Sequence, residues 1–267
     1  MNKIEIAEYT IRNKKIPKDF DNYVIVQISD LHNKSFGKDN CILLDKVNYI
    51  NPDVIFITGD LIDGENKNYQ VALDLIKKLS EKYEVYYITG NHEQKALIKK
   101  YKDLYIDYFK ELKSLKGTHL DNECIKIKNK DSYINVYGLT LPFSCYKYLF
   151  DKDKNIDLED NFLGKNLGDI NSNEYNILLA HSPFYFKEYE KWGADLVLAG
   201  HVHGGIIRLP YVGGLLSPNR HFFPEYDLGK YEINNSTMIV SKGLGGSKVL
   251  IRVNCKPEVV KITLKSE

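Results

Sequence analysis

Three times in its first ninety residues the chain runs through a short apolar, β-branched stretch and stops at a polar cluster. Val24–Ser29 ends in Asp30-Leu31-His32, Val54–Thr58 in Gly59-Asp60, and Val85–Thr89 in Gly90-Asn91-His92-Glu93. Runs of that length bounded by glycine and polar residues read as buried strands. Helical periodicity follows over Asn40–Ile50 and Tyr69–Lys82, and a long amphipathic helix is predicted from about Gln94 to Leu115. Strand alternating with helix gives a mainly parallel sheet. In such sheets ligands bind beyond the carboxyl ends of the strands, where the three clusters fall.

The arrangement returns downstream. Asn176–Ala180 ends in His181-Ser182-Pro183, and after a short helix near Tyr185–Trp192 the run Val197–Ala199 ends in Gly200-His201-Val202-His203-Gly204-Gly205. In extended geometry residues two apart point to one side, so both imidazoles are expected to face one site. A lone His-x-His or an Asp after a strand is also what an ordinary turn or helix cap carries. Five such strand ends in one chain are hard to explain as structure alone.

Collected, the strand ends supply Asp30, His32, Asp60, Asn91, His92, His181, His201 and His203, with five of the seven histidines of the chain among them. Hard oxygen and borderline nitrogen donors without cysteine suit Mn²⁺, Fe or Zn²⁺. So many donors are too many for one ion and about right for two sharing a carboxylate. The four cysteines, Cys41, Cys124, Cys145 and Cys255, are scattered and read as reduced and structural.

Between and after these motifs the pattern is β-rich. Ile4–Ile11 reads as an edge strand, and Cys124–Lys128 with Tyr133–Leu139 as a hairpin. Short strands are expected over Ile206–Leu209, Lys230–Ile233, Thr237–Val240 and Glu258–Thr263. Residues 142–173, irregular and opening on Phe143, Tyr146, Tyr148 and Phe150, form a surface excursion or a lid. The fold class expected is α/β: a two-sheet sandwich flanked by helices, in one domain over residues 1–267.

A net charge of +1 gives no reason to expect nucleic acid or an anionic membrane as partner. Lys99-Lys100-Tyr101-Lys102 keeps a nuclease open but reads as a solvated helix face. No stretch approaches the about 20 apolar residues of a membrane span, so the expected location is cytoplasmic, with peripheral membrane contact left open.

The order Asp-x-His, Gly-Asp, Gly-Asn-His-Glu, His, Gly-His-x-His over Val24–Gly205 resembles the calcineurin-like metallophosphoesterases. The Leu209-Pro210 turn and Pro218–Tyr231 are similar to a bacterial branch acting on phosphodiesters or lipid-linked pyrophosphates. Unlike many of that branch, this chain shows no amino-terminal apolar segment. The resemblance implies a four-layer αββα fold and two divalent ions. One would be held by Asp30, His32, Asp60 and His203, the other by Asp60, Asn91, His181 and His201, with Asp60 bridging. A water between them would lose its proton near neutral pH and attack phosphorus in line. His92 would face the scissile phosphate, and Glu93, where the family usually has aspartate, would orient it. The function expected is a phosphohydrolase, in particular a phosphodiesterase, on a small phosphoester or pyrophosphate. The alternative is a non-catalytic binding module that keeps the fold.

Overall fold

The structure, a computed structural model, describes residues 3–65, 68–98, 101–146, 157–204, 208–209, 213–214, 225–246 and 255–267. In chain order the strands are β1 (Glu5–Asn13), β2 (Val24–Ile28), β3 (Val54–Ile57), β4 (Glu84–Tyr87), β5 (Thr118–His119), β6 (Glu123–Asn129), β7 (Ser132–Leu139), β8 (Asn176–Ala180), β9 (Leu196–Ala199), β10 (Arg208–Leu209), β11 (Gly213–Gly214), β12 (Gly229–Ile233), β13 (Ser236–Val240) and β14 (Glu258–Ser266). The helices are α1 (Cys41–Ile50), α2 (Gln70–Ser80), α3 (Asn91–Ile98), α4 (Lys102–Ser114), α5 (Phe162–Leu167) and α6 (Phe186–Trp192).

Two six-stranded sheets carry the fold, in the orders β1-β14-β2-β3-β4-β5 and β12-β13-β9-β8-β7-β6. The strands β2 to β5 run parallel, as do β7, β8, β9 and β13. Antiparallel pairs join β14 to β2, β12 to β13 and β6 to β7. Both sheets are therefore mixed.

The apolar runs are continuous because each strand is buried on both faces. Period-two alternation sorts their side chains into layers. Ile25, Val54 and Phe56 of the first sheet meet Val136, Ile177, Leu179, Leu196 and Leu198 of the second. On the outer face of the first sheet, Val26, Ile28, Ile55 and Ile57 pack under α1, α2 and α4 through Leu43, Val47, Leu75, Ile76, Tyr105 and Tyr108. On the outer face of the second, Leu178, Val197 and Met238 pack under Leu163 of α5 and Phe186 and Tyr189 of α6. The result is the helix–sheet–sheet–helix sandwich expected. Among the described residues no helix is long and apolar enough to cross a membrane.

One element differs. The long helix expected from Gln94 to Leu115 is two helices, α3 opening inside the polar cluster at Asn91 and α4 starting at Lys102. The buried residues of α3 are Asn91, His92, Glu93, Lys95 and Ala96, those of α4 Tyr105, Tyr108 and Leu112. At about 100° per residue these stripes would lie on roughly opposite sides of one straight helix. A single helix could not serve both the polar cluster and the apolar core. Three short elements, β5, β11 and α5, also have no counterpart in the sequence reading.

The two sheets meet at one edge, where parallel strands of each end. There Gln27 of β2 donates from Nε2 to Thr58 Oγ1 (3.1 Å) and to the Ala199 carbonyl (2.8 Å), tying the ends of β2, β3 and β9 together across the sandwich.

Candidate metal centre

Every sequence-predicted site residue comes to this edge. Asp30 and His32 follow β2, Asp60 follows β3, Asn91 and His92 open α3 after β4, His181 follows β8, and His201 and His203 follow β9. The backbone that presents them is not extended. Asp30, His32, Asp60, His201 and His203 all have left-handed φ, between 50° and 71°, a region non-glycine residues seldom occupy. Asn91 and His92 lie in the first turn of a helix. The expectation that His-x-His faces one site through strand alternation is thus corrected. His201 and His203 separate into different groups.

Among the described residues, three sets of donor atoms lie close enough to hold an ion: Asp30, His32 and His203; Asp60, His181 and His201; and His32, Asp60 and His92, all buried. In the first, His203 Nε2 lies 3.3 Å from His32 Nε2 and 3.5 Å from Asp30 Oδ1. In the second, His181 Nε2 lies 3.2 Å from Asp60 Oδ2 and 3.1 Å from Asn91 Oδ1. The same Asp60 Oδ2 lies 3.8 Å from His32 Nε2, so one carboxylate oxygen faces both groups.

Neighbouring groups fix these side chains. His181 donates from Nδ1 to the Thr58 carbonyl (2.6 Å), which turns Nε2 inward as a lone-pair donor. Asp30 accepts from Ser29 Oγ (2.5 Å) and from the His201 N–H, while Asp60 Oδ1 accepts the His92 N–H (2.8 Å). Gly90 is required here, because a Cβ on it would collide with Asp60. Tyr146, which ends a 3₁₀ turn over Phe143–Tyr146, sets its ring edge-on to His201 (5.3 Å) and against His181 (5.8 Å).

Burial and mutual charge set the protonation of these groups. Burial drives the His32 imidazole down to about 3 and, with the charge of His181, holds His201 well below its usual range. Burial pushes the Asp30 carboxyl up. Burial acts the same way on Asp60, but His181 and His92 outweigh it and hold that carboxyl well below the usual range. Against its own burial, His181 is lifted to about 10 by Asp60. Neutral imidazoles, carboxylates and an amide oxygen suit Mn²⁺, Fe or Zn²⁺.

Beside this centre, Glu93 does not do what the sequence reading gave it. Its carboxylate accepts four backbone N–H groups: Asp60 (2.9 Å) and Gly90 (2.9 Å) on Oε2, Leu61 (2.7 Å) and Ile62 (3.2 Å) on Oε1. It holds the loop after β3. The carboxylate facing His92 is Asp63, whose Oδ1 lies 3.2 Å from Nδ1, at ion-pair distance but without hydrogen-bond alignment. Asp60 and Asp63 lift the His92 imidazole above its usual value despite burial. Asp63, Ser29, Thr58 and the ring contacts of Tyr146 were not assigned from sequence. Asp63-Gly64 reads there as any turn, and only its position three residues after Asp60 could have singled it out. Tyr148 and Phe150 of the expected lid, Lys99 and Lys100, Gly205 and residues 218–224 of the Pro218–Tyr231 stretch lie outside the described residues.

Comparison with known proteins places the chain in a family. The family model for calcineurin-like phosphoesterase matches residues 23–205. An uncharacterized metallophosphoesterase of Bacillus subtilis (strain 168) is 28% identical over 98% of this chain and 86% of its own length. Another from Aquifex aeolicus (strain VF5) is 28% identical over 99% and 93%. A crystal structure of a putative 5′-nucleotidase from Staphylococcus aureus superposes with a TM-score of 0.51 at 14% identity. It covers 83% of this chain, which spans about half (49%) of that longer protein, and shows a shared fold.

Proposed function

The chain belongs to the calcineurin-like phosphoesterase family, and from that premise we propose that it is a dinuclear metal-dependent phosphohydrolase acting on phosphodiesters. The observation that carries the reading is Asp60 Oδ2, which faces His181 at 3.2 Å and His32 at 3.8 Å. A carboxylate oxygen between two buried donor groups is where a bridging ligand would stand, which supports the reading.

Asp30, His32, Asp60 and His203 would hold one ion, and Asp60, Asn91, His181 and His201 the other. Two such ions, when bound, supply a nucleophile at neutral pH and stabilise charge on the attacking and leaving oxygens of an in-line displacement. The rest falls to side chains of the protein. Thr58 and Ser29 orient His181 and Asp30. His92, with Nδ1 towards Asp63, keeps Nε2 for the substrate and hands its proton to the departing oxygen as a general acid. Glu93 keeps the loop that carries Asp60 and Asp63 in place. Tyr146, near the start of the stretch expected to form a lid, backs the second donor group. Mn²⁺, Fe and Zn²⁺ are all compatible with the donors.

The test is to remove metal, reload with each ion and measure bound metal per chain together with hydrolysis of bis(p-nitrophenyl) phosphate. The expected result is about two ions per chain and turnover that returns with metal. Two ions without turnover of any phosphoester, or no metal uptake, would favour the binding-module alternative.

A further inference from the structure

The loop after β3 and the first turns of α3 lie against each other at more points than metal ligation needs. Glu93 takes the N–H groups of Asp60, Leu61 and Ile62. Gly64 lies so close to the His92 carbonyl that a Cβ on it would collide with that oxygen. One residue further, Glu65 Oε1 meets Lys95 Nζ at 2.5 Å. Asp63, the partner of His92, sits between these attachments. Its own side chain is 38% exposed, so packing alone does not hold it.

Lys95 is the unexpected member. It is 5% exposed, on the helix that carries Asn91, His92 and Glu93. A buried ammonium is costly without a partner, and an apolar side chain would serve simple packing better. Glu65, whose side chain is 30% exposed, closes over it from the rim.

We propose that the Lys95–Glu65 ion pair is a positioning device that ties the Asp63-Gly64-Glu65 turn to α3 and so keeps the Asp63 carboxylate on His92. Lys95 and Glu65 are positioning residues that act through Asp63. The inference deepens the proposed function and rests on His92 as proton donor. Its signature follows from that dependence. Loss of the pair leaves the metal ligands and substrate-binding surface as they were, and weakens only the step in which the leaving group needs a proton.

The experiment uses the full-length, metal-loaded protein with Lys95→Met. With an alkyl phosphodiester kcat should fall about tenfold at unchanged KM, while with a p-nitrophenyl diester the change stays within about twofold. Added to Asp63→Asn the substitution should cause little further loss, since the two act as one unit. In the metal-free protein, hydrogen exchange at residues 61–65 should speed up by about tenfold or more. Glu65→Gln, at the more exposed partner, should give a smaller loss of the same kind and serves if Lys95→Met folds poorly. A raised KM for both substrates with kcat intact would make Lys95 an anion-binding group and overturn the proposal, as would losses additive with Asp63→Asn. Unchanged kinetics and exchange would show the pair inert. A wild type without phosphoesterase activity would sink the functional reading instead, and the exchange measurement would still decide whether the pair holds the turn.

Discussion

Replacing Glu93 by glutamine separates two roles that the sequence left merged. Each carboxylate oxygen of Glu93 accepts two backbone N–H groups, Oε1 from Leu61 and Ile62 and Oε2 from Asp60 and Gly90. Glutamine keeps the shape but turns one oxygen into an NH₂. Whichever way the amide is placed, that NH₂ points at two N–H donors. Two buried donors left unmet at about 1–3 kcal/mol each give a loss of about 2–6 kcal/mol. For a chain of this size that is a fall in Tm of roughly 5–20 °C. Burial, with the charge of Asp60, pushes the Glu93 carboxyl up to about 7. A carboxyl raised on folding binds its proton more tightly in the native chain, so its contribution to stability is lost as pH rises from its unfolded value through the folded one. Glutamine has no such loss, and the deficit of Glu93→Gln should be smaller at about pH 8 than at about pH 5. Thermal unfolding of metal-free wild type and variant at the two pH values makes the comparison. Glu93→Asp, which keeps charge and acceptors but withdraws them by one methylene, should lose less. If Glu93→Gln unfolds with the wild type, yet slows hydrolysis only for poor leaving groups, then Glu93 acts on His92 directly and the loop-holding account is wrong.

Other outcomes follow from the same geometry. Asp60→Asn should lower turnover by about 10²–10³-fold, in the range for removing a key electrostatic group, and leave about one ion per chain; full metal content with near-normal turnover would remove Asp60 as the bridge. His92→Asn should keep both ions and lose about 10²–10⁴-fold with an alkyl leaving group but much less with p-nitrophenolate; equal losses would mean His92 works by charge or placement. Metal uptake should release protons near neutral pH, because His181 holds one up to about 10 in the metal-free chain; affinity should therefore weaken as pH falls, and calorimetry in buffers of differing ionisation enthalpy that finds no proton release would contradict this. Tyr146→Phe should be neutral to stability, since the Tyr146 hydroxyl is buried without a partner among the described residues, whereas Tyr146→Ala should cost about 3–5 kcal/mol and loosen the second donor group; a large loss in the phenylalanine variant, read by thermal unfolding, would reveal a bond to that hydroxyl.

The sandwich was legible because burial on both faces of each strand writes an unbroken apolar run, as in Val54–Ile57 and Leu196–Ala199. Its strand order was not, since nothing local to β14 says that it lies between β1 and β2. The site was legible as a set of donor residues at strand ends. The geometry that sorts them was not, because Asp30, His32, Asp60, His201 and His203 take left-handed backbone held by tertiary contacts, which no short-range pattern specifies. Glu93 was assigned to orient His92 by the family resemblance, in which the residue after that histidine is an aspartate. On the first turn of a helix, neighbours diverge by about 100°, and the carboxylate that reaches His92 comes from another loop.

The position of β14 bears on how the protein is made. Strands β1 and β2 follow each other in sequence but are never neighbours. The slot between them is filled by Glu258–Ser266, parallel to β1 and antiparallel to β2. During translation at about 5–20 residues per second, the interval from β2 to β14 is about 10–50 s. Throughout it the edges of β1 and β2 stay unsealed, and open strand edges recruit other chains. The sheet that presents Asp30 and Asp60 is completed by a segment synthesised after every motif residue. Nascent chains halted before residue 258 should therefore carry all the donors, lack the finished cavity that gathers them, and depend on chaperones to stay unaggregated.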